Sequence, residues 1–432
     1  MGPYPQPLYN NIMTPSRIVG LLAAFALVAV ACTGGGSISS TTTSHNADPG
    51  TLGSSATTTA SPSTSDAALI AGVADSSQLP GDLPAVTGAW DTDWTRTTVA
   101  LEELKIGIFT SDPRDVIAPI DNPVFESIAA GEEWLEEREP GLLVRFEGGA
   151  RFYPLAILTQ HEIVNDELGE IPVAVTYCPL CNTGVVFDRR IDGTIHRFGV
   201  SGLLRKSDLV MWDDVTDSLW QQITGEGIVG TLAGRQLTLV PSSIVSFSEF
   251  VESFPEGEVM SRDTGFNRRY GLNPYEFYSS RRTPFGFFDE EPDDRFPALE
   301  RVVGVSIDDV EKAYPFSVIS GPGVVNDVVA GTDVVVFWGG DTADALDGGS
   351  IATSQAIGTA VAYSPVVDGQ ALTFVPTADS VYEDEQTGSS WNILGVATDG
   401  PLAGQVLEPV IHRNEFWFAW AAFFPDGDVY GS

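Results

Sequence analysis

The stretch YPLAILTQHEIVNDELGEIPVAVTY, residues 153–177, decides the fold because it occurs in the chain twice. The second copy, YPFSVISGPGVVNDVVAGTDVVVFW, occupies residues 314–338, at an offset of 161 residues. Each copy has Tyr-Pro, then Val-Asn-Asp, then a run of apolar and β-branched residues that is typical of a buried strand. The sequence therefore contains an internal duplication.

The match between the copies continues downstream and indicates the fold class. After a 15-residue insertion in the second copy, residues 182–198 match residues 358–374, and each segment has an Asp-Gly pair within alternating strand sequence, which predicts a hairpin. Each copy is predicted to form a hairpin, a short helix starting near Tyr-Pro, a turn at Asn-Asp and further strands. We expect a β-rich α+β fold of two tandem pseudo-repeats, each a mixed unit of strands and a short helix.

The amino terminus is similar to a lipoprotein signal peptide and is not expected to be part of the fold. Its apolar run of 14 residues, Ile18 to Ala31, is shorter than the roughly 20 residues that a membrane span needs. The next residue, Cys32, completes a sequence that resembles a lipobox, so Cys32 is the predicted lipidation site. This predicts an extracytoplasmic protein anchored at the outer face of the cytoplasmic membrane, or a secreted one if Cys32 is not lipidated.

Sequence character divides the chain into six segments. They are a signal peptide (1–32), a disordered Gly/Ser/Thr-rich tether (33–79), an N-terminal extension (80–138), a first repeat (139–257), an Arg- and aromatic-rich connector (258–299) and a second repeat (300–432). The tether composition is too poor in apolar residues to fold.

Composition and motifs exclude several classes of function. With 22 basic and 59 acidic side chains, the formal net charge is −37, which disfavours nucleic acid and anionic lipid as partners. The sequence has no P-loop, dinucleotide-binding glycine motif, serine nucleophile elbow or His-Glu-x-x-His motif, so no nucleotide cofactor is expected. The protein partner or small substrate stays unassigned.

The duplication serves as an internal control for the functional residues, because residues that the fold needs recur in both copies. His161, Cys178 and Cys181 occur together in the first copy. In the second copy their counterparts are Pro322, Gly339 and Thr342. This joint loss marks the three side chains as candidates for chemistry.

One interpretation of this trio is a metal centre. A Cys-x-x-Cys pair can hold a soft cation, so Cys178 and Cys181 are predicted thiolate ligands and His161 the imidazole ligand. Such a Cys2His set, with an open or weak fourth position, suits zinc with a bound water, or Cu(I). Candidates for a fourth ligand, or for a residue that orients a ligand, are Asp208, Met211 and His196.

Two other interpretations stay open. Cys178 and Cys181 could form a disulfide in a non-catalytic binding or scaffold protein of the cell surface, since thiols outside the cytoplasm tend to be oxidised. Cys-Pro-x-Cys is also similar to the glutaredoxin active site, which implies a thiol–disulfide oxidoreductase with a depressed Cys178 pKa. Residues 182–193, which follow the pair, are β-branched and turn-forming, so the helix that such an active site needs is not predicted.

The connector is a further candidate site. It combines arginines with aromatic residues in an otherwise acidic chain, and such an island could attract an anionic ligand. The candidate ligand-binding residues are Arg262, Tyr270, Asn273 and Tyr275. The alternative is an ordered connector whose arginines pair with the surplus acidic residues.

Taken together, these motifs resemble the DUF3179 family, a bacterial and archaeal group of uncharacterised domains. The resemblance covers roughly Ile120 to Val305 and rests on IDNPVF, YPLAIL, HEIVND, VAVTYCPLCNTGVVFDR, FGVSGLLRKSDLVMWDDVTDSLWQQITGEGIVG and SRDTGFNRRYGLNPYEFY. It implies secreted or lipid-anchored proteins in which His161, Cys178 and Cys181 are the characteristic positions. It implies no particular activity.

Overall fold

Each Tyr-Pro pair directly precedes a short helix in the computed structural model, which describes residues 68–432. Pro154 and Pro315 are the N-cap residues of helices Leu155–His161 and Phe316–Ile319. Proline suits this position because its fixed φ is compatible with a helix start and its missing N–H costs no helical hydrogen bond. The predicted helix near Tyr-Pro is therefore present in both halves, residues 139–257 and residues 300–432.

The Asp-Gly pairs form tight hairpins, as predicted. Asp192 and Gly193 have φ values of 50° and 83°, and Asp368 and Gly369 have φ values of 50° and 79°. Two successive left-handed residues make the turn that best matches the twist of antiparallel strands. The prediction of a turn at Asn-Asp was wrong. Asn165 and its neighbour lie inside a strand because the Asn165 side chain makes two hydrogen bonds to the backbone of another strand.

Helices are few and short in the part of the chain that the structure describes. They are α1 (Leu83–Thr87), α2 (Ile128–Gly131), α3 (Leu155–His161), α4 (Phe247–Ser253), α5 (Phe316–Ile319) and α6 (Trp417–Phe423). Single 3-10 turns occupy Ser76–Gln78, Leu101–Glu103 and Ile351–Thr353.

Strands make up most of the regular structure. Those before residue 139 are β1 (Ile70–Ala71), β2 (Arg96–Thr97), β3 (Leu104–Ile106), β4 (Ile120–Asp121) and β5 (Phe125–Ser127). Those of the first half and its end are β6 (Pro140–Phe146), β7 (Gly149–Pro154), β8 (Ile163–Leu168), β9 (Ile171–Cys178), β10 (Thr183–Asp188), β11 (Arg190–Ile191), β12 (Thr194–Ile195), β13 (Phe198–Arg205), β14 (Asp208–Asp213), β15 (Leu219–Gln221), β16 (Gly227–Val229), β17 (Leu239–Val240), β18 (Ser242–Ser246) and β19 (Glu258–Met260). Those of the second half are β20 (Arg301–Ile307), β21 (Val310–Pro315), β22 (Val324–Val329), β23 (Thr332–Gly339), β24 (Thr359–Tyr363), β25 (Val366–Val367), β26 (Gln370–Ala371), β27 (Phe374–Ala378), β28 (Val381–Asp384), β29 (Ser390–Asn392), β30 (Ala397–Asp399), β31 (His412–Phe416) and β32 (Asp428–Val429).

The strands form six small sheets and two hairpin ribbons within residues 68–432. The sheet orders of the first half are β18-β6-β7-β19-β5, β17-β10-β9-β8-β4 and β1-β2-β16-β15-β14-β13-β3. Those of the second half are β31-β20-β21-β32, β22-β23-β24 and β27-β28-β29-β30. The ribbons β11-β12 and β25-β26 complete the set. Pairing is antiparallel except for β7 with β19, β21 with β32 and β4 with β8.

The fold class predicted from sequence is confirmed at the level of a β-rich α+β protein, with 40% strand and 12% helix among the residues that the structure describes. The arrangement of the sheets is β-propeller-like, which the expectation of two tandem repeat units did not describe. The two halves are also joined through shared cores. Tyr177 and Phe418 belong to one core, and Phe152 and Phe337 to another, so each core draws on both halves.

The residues before the first half are integral to the sheets. Strand β2 pairs with β16, β3 with β13, and β5 with β19, so the segment predicted as an extension completes sheets of the first half. The predicted tether extended too far, because Ile70 and Ala71 pair with β2 and Leu79 is buried in a core with Leu83. The rest of the predicted tether, the signal peptide and Cys32 lie outside the described residues.

Corresponding polar contacts recur in the two halves. Tyr153 Oη donates to Asp166 Oδ2 at 2.6 Å, and Tyr314 Oη donates to Asp327 Oδ2 at 2.9 Å. The indole N–H groups of Trp220 and Trp391 donate to Asp213 and Asp384, each at 2.9 Å. These duplicated residues hold strands together, which explains why they occur in both copies.

No helix within residues 68–432 combines the length and the apolar character that crossing a membrane requires.

Replacing the duplicated asparagines tests their structural role. Asn326 donates to Phe374 O and accepts from Phe374 N, both at 2.9 Å, and Asn165 makes the same pair of bonds with Phe198. We expect Asn165→Ala and Asn326→Ala each to lower the free energy of unfolding by about 1–3 kcal/mol, because buried backbone groups lose their partners. Urea unfolding measures this change. Exposed Asn267→Ala is the control, and equal stability of all three variants would refute the assignment.

Candidate functional site

The two cysteines of the first half lie at the end of a hairpin between β9 and β10. Cys178 is the last residue of β9 and pairs with Thr183 at the start of β10. Cys181 lies in the turn between them, and Asn182, with a φ of 54°, brings the chain back into the next strand. A left-handed asparagine is tolerated because its short polar side chain can bond locally, and Asn182 Oδ1 accepts from the Tyr177 hydroxyl at 3.1 Å.

A second tight turn brings a carboxylate to the cysteines. Lys206 and Ser207, between β13 and β14, have φ values of 50° and 68°. Asp208 follows as the first residue of β14. The Asp208 carboxylate thereby comes close to the thiols of Cys178 and Cys181. Each of the three side chains offers one potential metal-ligand atom, and these atoms all lie within 4.8 Å of one another. All three residues are at most 2% exposed.

Asp208 is held firmly but only through one of its oxygens. Oδ2 accepts from Gln221 Nε2 at 2.6 Å and from Ile223 N at 3.0 Å. Oδ1 is buried and accepts no hydrogen bond from a nitrogen or oxygen donor in residues 68–432, and the two thiols are the remaining donors to this carboxylate. Thiols are weak donors, so this oxygen indicates a position where a cation would be favoured.

Burial favours the protonated forms of Asp208, Cys178 and Cys181. Burial raises the pKa of Asp208 to about 6, although hydrogen bonds from Gln221, from Ile223 and from the two thiols oppose this shift. Burial also raises the pKa of Cys178, and raises that of Cys181 well above the ordinary thiol value. Both thiols are free. A thiol–disulfide oxidoreductase needs a depressed thiol pKa, and the direction at Cys178 is the opposite.

Two further acidic residues lie near enough to this group to affect its charge. Glu162 follows α3, accepts from the Tyr275 hydroxyl at 3.3 Å and has a pKa raised by burial to about 8. Glu415 of β31 is fully buried, and burial raises its pKa to about 8 as well. Its two carboxylate oxygens have no hydrogen-bond partner among the described residues, since Arg413 Nε is 3.6 Å away. The surroundings of Cys178, Cys181 and Asp208 therefore hold more hydrogen-bond acceptors on carboxyl groups than cationic groups to pair with them.

The structure does not place His161 in the group, contrary to the prediction of a Cys2His set. His161 Nδ1 lies 2.6 Å from the carbonyl oxygen of Ala118, to which it must donate. Nε2 therefore accepts from the Tyr270 hydroxyl, at 2.8 Å. Burial lowers the His161 pKa and keeps the ring neutral. Both ring nitrogens are thus engaged, because the connector supplies a tyrosine that the sequence did not show to be a neighbour.

Of the other three candidates predicted from sequence, one lies in the group formed with the cysteines and two lie outside it. Asp208, predicted as an orienting or fourth residue, is a direct member of the group. Met211 is buried in the core and pairs with Trp220 across β14 and β15. His196 Nδ1 lies 3.0 Å from Asp213 Oδ1, outside the group. The latter two side chains serve the packing of the sheet.

The connector residues reach different parts of the molecule. Tyr270 and Tyr275 bond to His161 and Glu162, as described above. The Asn273 side chain donates to Gly348 O at 2.9 Å and accepts from Tyr275 N at 2.7 Å. Arg262 is exposed and stacks over Trp134 at 5.5 Å. Of these four candidates, Tyr275 thus bonds to Glu162, one of the acidic residues near the cysteines, whereas Arg262 lies elsewhere.

Glu162 and Glu415 were missed by sequence reasoning. The duplication held a signal for Glu162, because its counterpart at the 161-residue offset is Gly323. Glu162, like the two cysteines, is therefore not repeated in the second copy. The duplication also held a signal for Glu415, because Leu-Ala-Gly at 232–234 and at 402–404 sets an offset of 170 residues here, and the counterpart of Glu415 at that offset is Val245. The sequence did not show that Glu415, from the other half of the chain, reaches this region. The pairing of Asp208 with the cysteines likewise depends on a long-range contact between β9 and β14.

The buried carboxyls predict a specific pH dependence of stability for metal-free protein. A raised carboxyl pKa means that the folded state binds the proton more tightly than the unfolded state does. Protonated Glu415 adds to the free energy of unfolding, and this contribution is complete below about pH 4.5 and is lost as the pH rises toward 8. The charged groups facing it are Arg413, which opposes the shift, and Glu311 and Asp208, which increase it.

We expect Glu415→Gln to gain stability relative to wild type as the pH rises from 5 to 8, by roughly 1.4 kcal/mol for each pH unit. Urea unfolding in the presence of a chelator measures the difference. The exposed Glu256→Gln serves as control and should follow wild type. A constant difference between Glu415→Gln and wild type across this range would contradict the expectation.

Comparison with known proteins assigns the chain to a family without assigning an activity. The model of the DUF3179 family, described as proteins of unknown function, matches residues 114–427. The match therefore extends through the second half, beyond the Ile120–Val305 stretch of the sequence resemblance. No curated protein and no solved structure is significantly similar to the chain. Since the matched residues are well over half of its length, the protein belongs to the DUF3179 family.

Proposed function

We propose that this protein binds a soft transition-metal ion through Cys178, Cys181 and Asp208. The observation that supports the proposal best is the convergence of two thiols and a carboxylate within 4.8 Å, in a buried position where Asp208 Oδ1 has no nitrogen or oxygen donor among the described residues. A bound cation would lower the pKa of both thiols and of the carboxyl, and would replace the missing hydrogen bond.

The donor set favours zinc over Cu(I). Thiolates suit either ion, but Cu(I) prefers an all-soft environment and carboxylate oxygen is a ligand that zinc accepts readily. Three protein ligands leave one tetrahedral position for water or a further ligand. The surrounding acidic groups, Glu162 and Glu415, increase the negative potential and would favour a divalent ion over a monovalent one.

The proposed location is outside the cytoplasm, with the chain anchored through lipid at Cys32. The lipobox-like sequence and the Gly/Ser/Thr-rich tether support this proposal. A metal would also explain how two free, adjacent thiols persist in an oxidising compartment, because metal-bound thiolates are protected from disulfide formation.

The two halves are proposed to derive from one ancestral unit. The repeated Tyr–Asp, Trp–Asp and Asn–backbone contacts support this origin. In this view both halves kept the residues of the scaffold, and the first half alone kept or gained the cysteines. The second half contributes burial and charge to the region instead.

Metal analysis tests the proposed ligand set. Full-length protein purified with a thiol reductant and without chelator should contain about one zinc per chain. Cys178→Ser and Asp208→Asn should weaken binding at least about tenfold, because each removes a direct ligand. Elemental analysis and competition with a zinc-binding dye measure content and affinity.

His161→Ala and Met211→Leu are the matched controls and should retain the metal. Loss of zinc in His161→Ala with retention in Asp208→Asn would instead restore the imidazole as third ligand. Metal-free wild type with a Cys178–Cys181 disulfide would support the scaffold alternative and remove the proposal.

Labelling with a clickable palmitate analogue tests the anchor. In a bacterial host that processes lipoproteins, the full-length chain should incorporate the label and Cys32→Ala should not, since a thioether at Cys32 carries the lipid. Cys178→Ser should be labelled like wild type. Equal labelling of Cys32→Ala and wild type, or none in either, contradicts lipid attachment at this residue.

A further inference from the structure

Strand β31, which carries Glu415, has an equivalent strand in the first half. At an offset of 170 residues, β31 and α6 correspond to β18 and α4. Both strands make the same sheet contact, because β31 pairs with β20 and β18 pairs with β6. The residue equivalent to Glu415 is Val245. A carboxyl group in the second half thus occupies the position of an apolar side chain in the first.

The first half shows that this position does not need a charge. Val245 is fully buried there in an apolar core together with Leu143 and Phe250. In the second half Glu415 is equally buried, and the position of Leu143 is taken by Gly304. A Cβ atom at Gly304 would overlap Glu415 Oε1, so the glycine leaves the space that this carboxyl group fills. Since a buried carboxylate is costly and the fold accepts valine here, Glu415 is a candidate for chemistry.

Glu415 is poorly compensated by its neighbours. Neither of its oxygens accepts a hydrogen bond within 3.5 Å from the residues that the structure describes. Arg413 Nε lies 3.6 Å from Glu415 Oε1, and Arg413 Nη2 is already paired with Glu311 at 2.7 Å. The Glu415 carboxyl group can therefore take a cation as a partner without giving up a short hydrogen bond.

The chain around Glu415 contacts both parts of the cysteine site. The next residue, Phe416, donates its backbone N–H to Cys181 O at 2.9 Å. The turn before Asp208 contacts α6, because Lys206 Nζ donates to Ala422 O at 3.0 Å. Negative charge on Glu415 also raises the pKa of the Cys181 thiol. Glu415 therefore lies beside the cysteines, although its carboxyl group is outside the set of atoms within 4.8 Å of one another.

We infer that Glu415 is the fourth ligand of the proposed metal site, completing a tetrahedral set with Cys178, Cys181 and Asp208. This inference rests on the proposed function. A carboxylate oxygen is an ordinary zinc ligand. Ligation requires the Glu415 side chain to rotate toward the ion, and it has three rotatable bonds with which to do so.

The other acidic residue near the cysteines is the weaker candidate. Glu162 accepts a hydrogen bond from the Tyr275 hydroxyl at 3.3 Å, which ligation would disturb. With Glu415 as fourth ligand, all four tetrahedral positions belong to the protein. Such a closed site is typical of structural zinc, whereas catalytic zinc keeps a position for water. The site would therefore hold its metal without offering the ion to a substrate.

Zinc affinity of the full-length protein tests the ligand. Glu415→Val introduces the residue that the first half has at this position, and Glu415→Gln keeps the size of the side chain. Each should weaken zinc at least about tenfold. Glu311→Gln removes the partner of Arg413 and should bind zinc like wild type. Competition with a zinc-binding dye measures affinity, and circular dichroism confirms folding.

The outcomes separate this inference from the proposed function. If Glu415→Val and Glu415→Gln bind zinc as tightly as wild type while Cys178→Ser binds it weakly, the inference is wrong and the proposed function stands. If wild type itself binds no zinc, the proposed function is wrong.

Access to the ion distinguishes a ligand from a nearby charge. In protein loaded with Co(II), whose visible absorption reports its ligands, azide should leave the wild-type spectrum unchanged because no position is open. Glu415→Ala removes the carboxyl group and leaves room, so azide should change its spectrum. An azide response of wild type equal to that of Glu415→Ala, or no response in Glu415→Ala, would overturn the inference.

Discussion

The constraint on which the site depends is the burial of Asp208 beside two thiols, with one carboxylate oxygen that no nitrogen or oxygen donor among the described residues reaches. Its other oxygen is fixed by Gln221 and by the backbone of Ile223, so the carboxylate cannot turn away to find a partner. Burial then acts in the same direction on every member, raising the pKa of the carboxyl and of both thiols. Protons can neutralise such a group, but the proposed cation, shared by all three side chains, would neutralise it and would also give Asp208 Oδ1 a strong partner.

The duplicated chain separates scaffold from chemistry. Contacts such as Tyr153 with Asp166 and Tyr314 with Asp327 occur in both halves and hold strands together. The cysteines occur only in the first half. Since the cores are shared, the two halves could diverge in their side chains without either having to fold alone.

Much of the fold was predictable from local sequence, and the site only in part. Proline at a helix start and Asp-Gly in a hairpin act within a few residues, so their predictions were confirmed. The β-propeller-like arrangement depends on long-range pairing that periodicity does not encode. The loss of His161 with the cysteines suggested a common ligand set, yet the His161 ring bonds to Tyr270, a residue over a hundred positions away. Asp208 was identified as a neighbour, but only the turn at Ser207 shows how directly it faces the thiols.

X-ray absorption spectroscopy at the zinc edge of the full-length, metal-loaded protein distinguishes the proposed site of two thiolates and a carboxylate from other ligand sets. The proposed site predicts two sulfur neighbours at about 2.3 Å together with oxygen neighbours at about 2.0–2.2 Å, with the sulfur signal halved in Cys178→Ser. A spectrum that shows imidazole scattering, or zinc without sulfur neighbours, would contradict it.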